Sequence, residues 1–537
     1  MKNYILITFL ILGTLSNVLA QNKDIGKQSI DTIKDFREFK VLDSKHIDNV
    51  ALWAPFNGDL KDFSEETYTA LKPLILEQNI PTLQKNIAEG KLTYEKLVLF
   101  YLYRIRKFDR ENKLSLNAVI ALNPNVVKEA RQKDKQPKPL LGFSVFGMPI
   151  LLKDNINAAG MPTTAGAAVL QQNMAEDAFI VKQLKNNGAL ILGKSNLSEW
   201  AYFFCGDCPS GYSAVGGQTL NPYGRRIFDT GGSSSGSGAA VAANFCVAAV
   251  GSETSGSILS PSSQNSVVGL KPTVGLLSRT GIIPISSTLD TPGPMTKNVI
   301  DNAIMLEAMT GFDQDDSAPV NLESEPVGNL INTSLKGKRF GAFKGLMEDS
   351  LYVEALSKLK NEGAEIVEIE EQKIDLPGFI RLLNLDMKKD LPEYLQNHAN
   401  TTISVKSVED VMEFNKKDSL KSAPYGQALF QGIVDDIGSL ADLERIKDTL
   451  STNGKLFFEE PMNKHNLDGI LSINNFHAGY AAVAKYPAMT VPMGYQKDGK
   501  PRGLTFIARP FQEKSLLQWA YEYERTSNKR IAPKNYN

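Results

Sequence analysis

Histidine is nearly absent. The 537-residue chain holds four, His46, His398, His465 and His477, and none stands near another at the spacing of metal ligands. Cysteine is as scarce, with Cys205, Cys208 and Cys246. One C-x-x-C without a second pair does not make a four-ligand zinc site, and three cysteines cannot staple a chain of this size. A large buried core must hold it together. Excess charge is lacking too: 59 basic residues face 60 acidic ones. That balance gives no bulk attraction to nucleic acid or anionic lipid. Beyond position 20 no apolar run is long enough to cross a bilayer. With 42% hydrophobic and 22% charged residues the composition is that of a globular protein, neither disordered nor fibrous. The length would fill about three average domains, although single α/β domains run longer.

The one strongly apolar segment lies at the start. Residues 1–20 carry Lys2, then the run from Tyr4 to Leu12, then Val18-Leu19-Ala20 before Gln21. Gly13, Ser16 and Asn17 interrupt it well short of the roughly 20 residues a membrane span requires. The pattern is that of a cleaved secretory signal, and no cysteine follows the cleavage point to take a lipid. The expectation is a periplasmic or secreted protein with no stable membrane insertion after cleavage.

An extension over residues 21–85 carries little pattern. From Thr93, Leu97, Tyr101, Ile105 and Phe108 line one face of a helix. A second helix around 125–133 ends in the solvated break at 133–139. Short apolar runs at 149–152, 189–192, 247–250, 340–343, 365–368, 469–473, 488–491 and 504–508 then read as strands. Helical stretches at 177–187, 239–245, 351–361 and 513–524 alternate with them. This alternation predicts an α/β fold with a large, mixed, mainly parallel sheet and helices on both faces. The main domain is expected over 86–530, with its core at about 145–310. The charged, poorly patterned region at about 315–465 is expected to cover it. No internal repeat is present.

Little conventional chemistry survives inspection. Gly232-Ser233-Ser234-Ser235-Gly236 has the letters of a nucleophile elbow, but the polar turn 221–226 precedes it where an apolar strand is needed. No Gly-Lys-Ser/Thr follows the glycines, which excludes a phosphate loop. Cys205-Gly206-Asp207-Cys208 is followed at once by Pro209, so it does not open a helix as a redox motif should. A local disulfide and two free thiols both remain open. His477 stands alone on an apolar stretch and reads as structural.

With histidine so rare, a serine nucleophile would need another base, and lysine is the alternative that Ser–Lys hydrolases use. A lysine working near pH 7–8 needs about 4 kcal/mol of environmental bias against its charged form. Burial supplies this. Lys153 closes the apolar run Ile150-Leu151-Leu152, where an amine is desolvated. Its neighbour Asp154 should point to the opposite face of a strand and so fail to pair with it. Two groups of serines could partner Lys153. Ser233–Ser237 lie in a Gly-rich loop opening a helix. Gly251-Ser252-Glu253-Thr254-Ser255-Gly256-Ser257 follows a strand at its C-terminal end, where successive N–H groups can converge on an oxyanion.

These residues resemble the amidase signature family, the Ser–Ser–Lys hydrolases of carboxamides. The resemblance rests on 147–154 (GMPILLKD), 163–166 (TTAG), 231–234 (GGSS), 256–258 (GSI), 269–273 (GLKPT) and 290–295 (DTPGPM), and it returns at 486–509. It implies Ser257 as the nucleophile that forms an acyl-enzyme, and Ser233, after a cis peptide from Gly232, as the bridging serine. Lys153 becomes the base and acid. Backbone N–H groups of Thr254, Ser255, Gly256 and Ser257 become the oxyanion hole. No cofactor or metal is implied. Two departures stand out: Ser255 replaces a common glycine, and Leu259 a common arginine whose salt bridge is therefore expected to be missing. The runs 196–200 (NLSEW) and 216–219 (GGQT) look most like secreted bacterial peptide amidases, which convert C-terminal carboxamides to acids and ammonia. The implied partner is a small-molecule or peptide amide, with no nucleic acid. An amidotransferase A subunit acting with aminoacyl-tRNA is the alternative, disfavoured by the leader and the neutral charge. A non-catalytic binder is disfavoured by retention of all three polar residues. The acyl group and the oligomeric state stay open.

Overall fold

The computed structural model describes residues 39–110, 113–139, 142–316, 330 and 333–536. Residues 1–20, expected above to be a cleaved signal, lie outside them. Three strands lie almost wholly out of contact with water: β2 (Pro149–Lys153), β3 (Leu190–Ser195) and β6 (Ala248–Glu253). Their near-continuous apolar sequence is what a strand covered on both faces requires. They pair in parallel, β3-β2-β6, with Lys153 opposite Ser195 at the end of the ladder. Outside them, β1 (Val119–Leu122) pairs antiparallel with β3.

On the other flank of β6 the sheet continues through β8 (Thr291–Thr296), β7 (Val268–Lys271), β12 (Ala488–Tyr495) and β13 (Pro501–Ile507). It ends with β11 (Gly469–Ile473), β9 (Arg339–Phe343) and β10 (Glu365–Ile369), giving the order β1-β3-β2-β6-β8-β7-β12-β13-β11-β9-β10. A separate two-stranded ribbon pairs β4 (Tyr212–Ser213) with β5 (Gly217–Gln218).

The chain adopts the expected α/β class with one large mixed sheet. Its four parallel ladders form two wings, while six antiparallel ladders include the whole middle of the sheet. This is a larger antiparallel share than strand–helix alternation suggested. The cause lies in β7 and β8, which the apolar pattern did not reveal. Strand β8 carries Pro292 and Pro294, residues that weaken any strand assignment. They face β6 at positions where β7 does not pair, since β7 meets β8 only at Met295 and Thr296.

The helix Ser235–Ala242, SGSGAAVA, is buried along its length. Its small residues let its backbone approach the sheet. A Cβ at Gly236 would collide with the carbonyls of Asn196 and Ala118. Over the site, helices Phe379–Asn397, Val408–Lys416, Ala428–Asp435 and Leu440–Lys464 build their own apolar cluster around Leu391, Phe430 and Leu450. Trp200 and Phe204 join it from the main sheet's loops. Among the described residues no helix is long and apolar enough to cross a membrane.

The end of the β2–β3 ladder is locked by an ion pair without solvent contact. Lys194 Nζ lies 3.1 Å from Asp154 Oδ1 and also donates to Ile156 O at 2.6 Å and Thr163 Oγ1 at 2.8 Å. Removing one partner of such a pair strands the other charge. Lys194→Met should therefore lower stability by about 3–5 kcal/mol, read from urea unfolding. A loss below about 1 kcal/mol would contradict this account.

Candidate active site

Lys153 is the last residue of β2 and has no solvent exposure. Its Nζ lies 2.8 Å from Ser233 Oγ, 2.9 Å from Ser252 O and 2.9 Å from Ser252 Oγ. Burial drives the amine down to about 7, against the opposing pull of the Asp290 and Glu253 carboxylates. Asp154 does turn away, as strand geometry demands. It accepts hydrogen bonds from Thr164 N at 3.1 Å and from the Thr164 hydroxyl, and pairs with Lys194 rather than Lys153.

Ser233 is fully buried and follows a cis Gly232–Ser233 peptide. Ser198 N donates to its carbonyl at 3.0 Å. Its neighbour Ser234 donates from Oγ to Ser252 O at 3.1 Å and accepts from Ser252 N at 3.2 Å. Ser234 N also donates to Ser257 O at 3.1 Å. Ser234 of the Gly-rich loop and Ser252 of β6 thus tie the stretch around Ser233 to that around Ser257.

The turn from Thr254 to Ser257 is pinned at both ends. Thr254 Oγ1 donates to Asp290 Oδ1 at 2.5 Å. Glu253 Oε2 accepts Ile258 N at 2.7 Å and Leu259 N at 2.9 Å. Gly256 adopts φ +84°, a left-handed conformation, and a Cβ there would stand 3.0 Å from Asn475 Nδ2. Ser257 is 8% exposed whereas Lys153 and Ser233 are at 0%. The Ser257 hydroxyl makes no hydrogen bond among the described residues, so the Ser233–Ser257 step is not closed here. Leu259 packs into an apolar cluster with Phe343 and Phe457.

Four groups that sequence reasoning left without roles belong to this frame. Ser252 and Glu253 stood within the motif already singled out, and Asp290 opened another. Asn155, two positions after Lys153, gave no signal; its Nδ2 donates to Ser252 Oγ at 3.0 Å and Ile283 O at 3.3 Å. Asp290 Oδ2 accepts Ile285 N at 2.8 Å and Ser286 N at 3.0 Å. Burial raises its carboxyl to about 6. His477 is structural as read: Nδ1 lies 2.6 Å from Ser472 Oγ and the ring stacks on Phe343 at 4.3 Å. Cys205 and Cys208 are joined as a disulfide.

A family model described as Amidase matches residues 96–423. The chain belongs to the amidase family. It is 36% identical over 485 residues to an Arabidopsis thaliana protein named a probable amidase, covering 86% of this chain and 92% of that one. Among solved structures, an amidase family protein from Bacillus anthracis aligns with TM-score 0.85 at 36% identity, covering 92% of this chain and 100% of that one. The peptide amidase of Stenotrophomonas maltophilia aligns with TM-score 0.80 at 37% identity, covering 85% of this chain and 98% of that one. The amidase described here is thus an enzyme of a family that hydrolyses amide carbon–nitrogen bonds, and it shares their large mixed sheet.

Holding Lys153 uncharged costs the amidase stability. Between pH 7 and about 10 the unfolded chain binds a proton that the fold does not, so this contribution improves as pH rises through that window. At pH 7.5 the cost is about 4 kcal/mol, partly offset by three hydrogen bonds worth about 1 kcal/mol each. The stability of Lys153→Met relative to the parent, read from urea unfolding, should therefore fall as pH rises from 7.5 towards 10, because only the parent gains stability over that window. A difference that does not change with pH would contradict the neutral amine.

Proposed function

We propose that the protein is an exported amidase that hydrolyses a carboxamide to the acid and ammonia through an ester on Ser257, with C-terminal peptide amides as its substrate class. One observation carries the reading: the buried Lys153 amine, 2.8 Å from Ser233 Oγ and lowered to about 7. A neutral amine has two N–H bonds and one lone pair. The Ser252 carbonyl and hydroxyl oxygens take the two N–H bonds, which leaves the lone pair for the Ser233 hydroxyl. Ser233 then donates to Lys153 and can accept a proton from Ser257 once that side chain turns inward.

In this mechanism Ser257 Oγ attacks the amide carbon as its proton passes to Ser233 and the proton of Ser233 passes to Lys153. The oxyanion lies against the N–H groups of Thr254, Ser255, Gly256 and Ser257, held in place by Asp290 and Glu253. Lys153 returns the proton through Ser233 to the leaving nitrogen, and ammonia departs. Water repeats the sequence on the ester. The leader at 1–20 supports export, and the likeness to the Stenotrophomonas maltophilia peptide amidase supports the substrate class.

Ser257→Ala should lower kcat at least 10³-fold with the fold intact, and should abolish labelling by a fluorophosphonate probe. Full activity in that variant would sink the mechanism. Ammonia release from amides of graded size should be highest with peptide amides and should need no added protein. Dependence on aminoacyl-tRNA and partner chains would favour the amidotransferase reading instead. Because the base acts only when neutral, kcat/KM should fall tenfold per pH unit below about pH 7. A flat profile down to pH 5 would exclude Lys153 as the base.

A further inference from the structure

Beside Ser252, whose hydroxyl meets Lys153, a cavity of about 10 Å³ is walled by Asn155, Ser252, Thr254, Asp290 and Arg279 among others, with neither Ser233 nor Ser257 in its lining. That is the room one water molecule needs. Two of its walls present unused hydrogen-bonding capacity. Asn155 Oδ1 is buried without a partner, and its residue is 2% exposed. Ser252 Oγ accepts from both Lys153 and Asn155, and no acceptor takes its own O–H among the described residues. Buried polar atoms of this kind call for a partner. Asp290 contributes a third group, since Oδ1 accepts only the Thr254 hydroxyl and keeps a second lone pair.

Asp290, Arg279 and Ile282 also line an open pocket of about 190 Å³ that reaches Asp390 and His398. The same three residues therefore separate the small cavity from solvent. We propose that the cavity is a binding site for a single water that joins Ser252 to Asp290 and lets Lys153 exchange its proton with solvent through Ser252. The inference rests on the function proposed above, in which Lys153 must be neutral each time substrate covers Ser257.

The step balances. An N–H bond of the Lys153 ammonium breaks as Ser252 Oγ takes that proton and releases its own to the water. The water passes one of its protons to Asp290 Oδ1, and every oxygen on the way ends with the bonds it began with. Lys153 is left neutral, and Asp290 sheds the proton into the outer pocket. With the amine at about 7 and the carboxyl at about 6, neither end traps it. The charges facing this path are Glu253 from β6, which with Asp290 favours the protonated amine, and Arg279, which favours the Asp290 carboxylate. Asp154 faces Lys194 and stays out of it.

An atomic-resolution crystal structure of the whole protein should show one water within hydrogen-bond distance of Asn155 Oδ1 and Ser252 Oγ. A dry cavity overturns the proposal whatever the activity. Proton exchange at Lys153 Nζ is then read by nitrogen-15 NMR with a peptide aldehyde bonded to Ser257 to close the front. Exchange should persist in the parent. It should slow at least tenfold in Asp290→Asn, and equally in Ile282→Phe, which fills the junction of the two cavities should the first variant not fold. Unchanged exchange in the folded variant, or none in the parent, overturns it. Full amidase activity in Ser257→Ala would instead refute the underlying function, a separate result from the occupancy of the cavity.

Discussion

An amine that water would keep charged is held at the end of β2 with no solvent contact, and the rest of the site is arranged around that fact. Desolvation alone would leave a buried nitrogen without partners, a cost of several kcal/mol. Ser233 and Ser252 supply those partners without supplying a carboxylate in direct contact. The nearest candidate, Asp154, is drawn off by Lys194 and Thr164. A direct ion pair would have raised the amine's affinity for its proton, so the diversion of Asp154 matters as much as the burial. The two carboxylates that do act on Lys153, Asp290 and Glu253, are each occupied by backbone N–H groups or the Thr254 hydroxyl.

The sheet's mixed topology serves this arrangement. Parallel β2 and β6 end side by side, which places Lys153 beside Ser252 and starts the 254–257 turn from the same edge. Antiparallel β8 begins where β6 ends, with Thr291 opposite Glu253, so Asp290 meets Thr254 across the ladder. A wholly parallel sheet would have brought the start of that strand to the far end of the molecule. The antiparallel middle is therefore part of how the site is assembled.

How much of this could be read from the sequence divides along a physical line. Strands β2, β3 and β6 were visible because full burial demands an unbroken apolar run. Their ends were not: β6 continues through Ser252 and Glu253, polar residues tolerated because partners from other elements satisfy them. Strands β7 and β8 were hidden by glycine and proline, whose meaning depends on which neighbour pairs at each position. Lys153 was reachable by elimination, given so few histidines, and by the motif around it. Asn155 was not, because its Nδ2 bonds Ser252 across 97 positions of the chain; Asp290 opened a motif, but its bond to Thr254 reaches 36 positions back and could not be read from it. Pairwise geometry of that range leaves no local pattern.

Exposure rises along the three residues of the proposed relay. Lys153 and Ser233 have none, and Ser257 has a little. A base in reach of water would be protonated below pH 10 and useless, while a nucleophile sealed from water could meet no substrate. The intermediate serine resolves the conflict, since a hydroxyl can both accept and donate and needs no charge to be buried. In the proposed mechanism one hydroxyl, hydrogen-bonded to Lys153, links the dry base to a slightly exposed nucleophile. This also accounts for a serine in that position where a charged residue would fail. A second ionisable group there would either pair with Lys153 and restore its proton, or repel it and add a further desolvation cost.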